Sequence, residues 1–102
     1  MSLAYFFTKD YANALEHALN AASEVPNLPP AHGNQALAFV GMGEIEHAKA
    51  ALETARRLGP AFVQSRLDGE MPYRQTEHRQ RYMIFYRIAA GLEDPSAADA
   101  LR

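Results

Sequence analysis

Between Asp10 and Val25 the apolar side chains Tyr11, Leu15, Ala18, Ala22 and Val25 fall at steps of three or four residues. That spacing gathers them on one face of a helix. The stretch Glu44–Leu58 does the same with Ile45, Ala48, Leu52, Ala55 and Leu58, and predicts a second helix. Glu44 and Glu46 stand in its first turn and Arg56 and Arg57 in its last, so each pair complements the helix dipole. Towards the C-terminus, Tyr82, Phe85, Ala89 and Leu92 form one helical stripe, and Ile84 with Ile88 forms another beside it. An apolar surface that broad exceeds what one neighbouring helix covers. Breaks fall at Thr8–Asp10, Pro26–Pro30, Gly41–Gly43, Gly59-Pro60, Gly69–Pro72 and Gly91–Pro95. Gly59-Pro60 reads as a helix stop.

Sliding the chain by 34 residues exposes an internal repeat. Leu3-Ala4-Tyr5-Phe6 falls over Leu37-Ala38-Phe39-Val40, Asp10 over Glu44, Ala14 over Ala48, Ala21 over Ala55, and Pro26 over Pro60. Alanine matches carry little weight in a chain with 19 alanines, but the leucine, aromatic and proline pairs share one register. A further shift lays Phe39 over Tyr73 and Ala55 over Ala89, while Pro72 interrupts the first helix of that copy.

Two helices in 34 residues, with small residues at fixed points and a closing proline, resemble the tetratricopeptide repeat. In the middle copy Ala36 takes the small position of the first helix, Phe39 the aromatic one and Gly43 the turn. Ala48 and Ala55 take the small positions of the second helix, and Pro60 closes it. Gln35 stands where the family usually has leucine, and His32 where it often has an aromatic residue. The tail, Met71-Pro72-Tyr73-Arg74-Gln75-Thr76-Glu77-His78-Arg79 and then a helix ending Ala89-Ala90-Gly91-Leu92, is similar to the C-terminal repeat segments of bacterial class III adenylate cyclases and winged-helix regulators.

The resemblance implies an all-α fold: antiparallel helix pairs of a right-handed solenoid fragment, finished by a terminal capping helix. Its units are 1–28, a partly truncated first repeat; 29–62, the second; 63–95, a degenerate repeat with the terminal helix; and 96–102, a tail. It also implies a groove lined by first helices. The positions that map onto it are Asn34, Leu37 and Val40 from the second unit, and Gln64 and Asp68 from the third. An asparagine there can both donate to and accept from a peptide backbone. The only lysines are Lys9 and Lys49, so the paired lysines of a carboxylate clamp have no counterpart.

Composition agrees with a helical, soluble domain. The chain is 102 residues long, 48% apolar and 22% charged, with a net charge of −2. That excludes a disordered tail, and no apolar run approaches the ~20 residues of a membrane span. Cysteine is absent, which removes disulfides, thiolate metal sites and thiol nucleophiles. The N-terminus has no basic n-region and no clear cleavage site of a signal peptide, so the expected location is the cytoplasm. The abrupt, helix-like opening suggests a fragment of a larger protein.

Catalytic patterns are missing. His17, His32, His47 and His78 lie in separate segments and form no pair at metal-ligand spacing. None of the four serines, Ser2, Ser23, Ser65 and Ser96, stands in a nucleophile elbow, and Gly41-Met42-Gly43 lacks the strand and third glycine of a phosphate loop. The expectation is a non-enzyme without cofactor or metal, whose partner is a protein or peptide and which forms a homodimer. The expected oligomer surface is Ile84, Phe85 and Ile88, with an apolar cluster at Leu3, Tyr5, Phe6 and Phe7 as the second choice for the seam. The alternative is a nucleic-acid-associated module of a transcriptional regulator. It would use Arg74, Arg79, Arg81 and Arg87 interleaved with Tyr73, Tyr82 and Tyr86. A local balance of 5 arginines against 3 acids over residues 61–92 makes a weak electrostatic footprint for it.

Overall fold

A computed structural model of the chain describes residues 9–68, 76–99 and 101, with the backbone alone for 76–79. Among the described residues the secondary structure is entirely helical. The elements are α1 (Tyr11–Glu24), α2 (Pro29–Gly41), α3 (Ile45–Leu58), α4 (Pro60–Leu67), α5 (Thr76–Ala89) and a short 3-10 helix, η1 (Pro95–Ala98). The segment Leu3–Phe7 lies outside the described residues, as does the expected break at Gly69–Pro72.

Local chemistry sets the helix ends. Asp10 caps α1: its Oδ1 accepts the Asn13 backbone N–H at 3.4 Å and its Oδ2 the Asn13 side-chain amide at 2.7 Å. Pro29 and Pro30 open α2, where a missing N–H costs nothing. At its other end Gly43 takes φ +80°, and the Glu44 N–H donates to the Phe39 carbonyl at 2.8 Å. That six-to-one bond with a left-handed glycine is a Schellman turn, and it sends α3 back along α2. The same device ends α5, where the Leu92 N–H reaches the Arg87 carbonyl at 2.9 Å. Gly59 ends α3 as expected, but Pro60 does not simply close a unit. It is the first residue of α4, so the boundary drawn at residue 62 falls inside a helix.

α2 is the hub. It packs along α1 and α3, takes α5 across its remaining face, and touches α4 and η1. Ala31, Gly33, Gln35, Ala36, Leu37, Ala38, Val40 and Gly41 are all buried on it, so apolar and small side chains ring almost the whole helix. A helix of that kind belongs inside a protein. On α3 the buried positions are Ala48, Ala51, Leu52 and Ala55, one clean stripe facing α2. The residues 96–102 are more than a tail, because Ala98 is fully buried and η1 rests on α5 and α2.

The helical stripes overreach at their ends. Val25 is 50% exposed and Leu92 is 65% exposed, for one reason. Each lies beyond the last helical residue of its element, where the backbone has left the helix and the 3.6-residue phase no longer holds. Leu58, the last residue of α3, is likewise exposed.

Because Ala55 has no exposed surface, a larger side chain there must push α3 away from its neighbours. Ala55→Leu is expected to cost roughly 1–3 kcal/mol in urea denaturation. Lys49→Ala, on the exposed side of the same helix, should stay within about 0.5 kcal/mol. Equal losses at both positions would contradict this packing.

Candidate protein-interaction face

α5 brings the two largest fully buried side chains among the described residues, Tyr86 and Phe85, to the core around α2. Phe85, Tyr86 and Ile88 are fully buried, and they share one core cluster with Leu37 and Val40. The seat is made by glycine. At Gly33, in the first half of α2, a Cβ would run into the Tyr86 hydroxyl and lie 3.2 Å from its Cζ. Gly33 therefore costs α2 some helix propensity, on the order of 1 kcal/mol against alanine, and in return lets an aromatic ring lie on the backbone. Tyr82 stacks on Tyr86 one turn earlier, with ring centres 5.3 Å apart and 17° between planes.

Three further contacts fix α5 against the other helices. Phe85 meets Tyr11 at the start of α1, with ring centres 6.1 Å apart. Arg81 is only 6% exposed; its Nη2 donates to the Tyr11 hydroxyl at 3.1 Å, and its guanidinium lies 5.7 Å from the Tyr11 ring centre. Arg87 donates from Nη2 to the Leu67 carbonyl at the end of α4, at 3.3 Å. The Tyr86 hydroxyl is buried, on a ring stacked against Tyr82. Burial, reinforced by Tyr82 beside it, pushes this phenol far above its ordinary pKa, so it stays neutral.

Four of the expected site residues are buried within the chain. Leu37 and Val40 do not line an open groove; they lie in the core, because α5 covers the face of α2 that a repeat stack would leave free. Phe85 and Ile88 do not form an outer surface; they are the side chains that do the covering. Ile84 remains half-buried at the edge of α5. Asn34 is half-buried on α2. Gln64 and Asp68 are exposed on α4 and bonded to each other, Nε2 donating to Oδ1 at 3.0 Å, and no described hydrogen bond joins Asn34 to them.

The arginines read from the sequence as one basic face are divided. Arg81 and Arg87 turn inward onto Tyr11 and Leu67, Arg74 lies outside the described residues, and so does the side chain of Arg79. The histidines are separate in space as well. His32 Nε2 lies 2.8 Å from the Pro26 carbonyl and ties the start of α2 to the preceding turn. His47 Nδ1 lies 3.2 Å from Glu44 Oε2, on the surface, with its ring 5.3 Å from that of Phe39. His17 is exposed, and the side chain of His78 lies outside the described residues. Among the described residues no group of three or more His, Asp or Glu could hold a metal ion.

One cleft of about 190 Å³ opens between α3 and the end of α5, over Leu52 and Ala89 and rimmed by Lys49, Glu53 and Arg56. It is smaller than the roughly 300–1,000 Å³ that pockets for drug-sized ligands occupy. No helix among the described residues is long and apolar enough to cross a membrane. Compared with known proteins, the chain matches no protein-family model, no curated protein and no solved structure.

The seat of Tyr86 makes a coupled pair of changes. Tyr86→Phe removes the buried hydroxyl that a side chain at position 33 would meet. Gly33→Ala should cost roughly 1–3 kcal/mol in the wild-type chain. In the Tyr86→Phe background the loss should shrink by at least about 1 kcal/mol. Urea denaturation of the four proteins measures the coupling, and additive changes would place Tyr86 elsewhere. Zinc or magnesium at micromolar concentration should leave the melting temperature unchanged, since a ligand of the native state raises it.

Proposed function

We propose that the chain is a non-catalytic protein-interaction or oligomerisation module of a cytoplasmic bacterial signalling protein, similar to the tetratricopeptide segments that accompany adenylate cyclases. The observation that carries the reading is the 34-residue register of Ala48, Ala55 and the prolines, which supports the repeat family, with Ala48 and Ala55 fully buried on α3. The proline–aromatic–basic stretch before α5 supports the signalling parent.

Self-association is the property to test, with Ile84 at the edge of α5 as the probe. Sedimentation equilibrium should find a dimer at high micromolar concentration, and Ile84→Glu should weaken it while the fold is kept. A wild-type chain that stays monomeric across that range defeats homodimerisation. Binding to DNA or RNA with a steep dependence on salt would transfer the reading to a nucleic-acid module, because phosphate contacts impose such a slope.

A further inference from the structure

We draw no further inference here: the strongest candidate, the partly exposed apolar stripe of Ala12, Leu15, Leu19 and Ala22 on α1, carries none, because nothing among the described residues shows what covers it.

Discussion

Everything in the described structure depends on how closely other helices can approach α2. Side chains on that helix are small where neighbours cross it: Gly33 under Tyr86, Gly41 under the ring of Tyr11, and Ala36 and Ala38 with no exposed surface. A helix that can be approached from nearly every side makes a core out of a chain with modest apolar volume. Dispersion contacts grow steeply as backbones close up, so alanine and glycine contribute to packing through the larger side chains they admit. Phe85, Tyr86, Leu37 and Leu52 are the volume that fills the space.

Close approach has a polar cost. Arg81 is drawn into the interior, where Tyr11 and the aromatic faces of Tyr11 and Phe85 take the place of water around its guanidinium. Cation–aromatic contacts strengthen when water is excluded, which offsets part of the cost of burying the charge. Tyr86 keeps a buried hydroxyl because its ring is needed over Gly33. Both compromises sit on α5, the helix whose docking is least supported by neighbours in sequence.

The helices were legible in the sequence wherever periodicity and punctuation agreed. Asp10 and Gly43 mark real ends, and Ala48, Leu52 and Ala55 form the buried stripe that their spacing predicts. What the pattern could not reveal was which helix covers which. Leu37 and Val40 look the same in sequence whether they face a groove or another helix, and α5 decides between these from 36 residues or more away. Arg81 carried no signal of burial, since an arginine between Gln80 and Tyr82 reads as a solvated position. Its partner Tyr11 lies 70 residues earlier, beyond the reach of any local rule. Gly33 was the one available hint: a glycine inside a helical stretch, after two prolines had already opened it, calls for a close contact.

The Arg81–Tyr11 bond also bears on the order in which the chain assembles. α1, α2 and α3 are joined by short turns and close on one another through contacts between adjacent elements. Bringing Arg81 to Tyr11 closes a loop of 70 residues, whose entropy cost exceeds that of any hairpin in the fold. Local contacts form fast and distant ones slowly. Loop closure alone therefore favours forming the three-helix unit before α5 arrives. In that order the backbone of Gly33 would stand open until an aromatic helix reaches it.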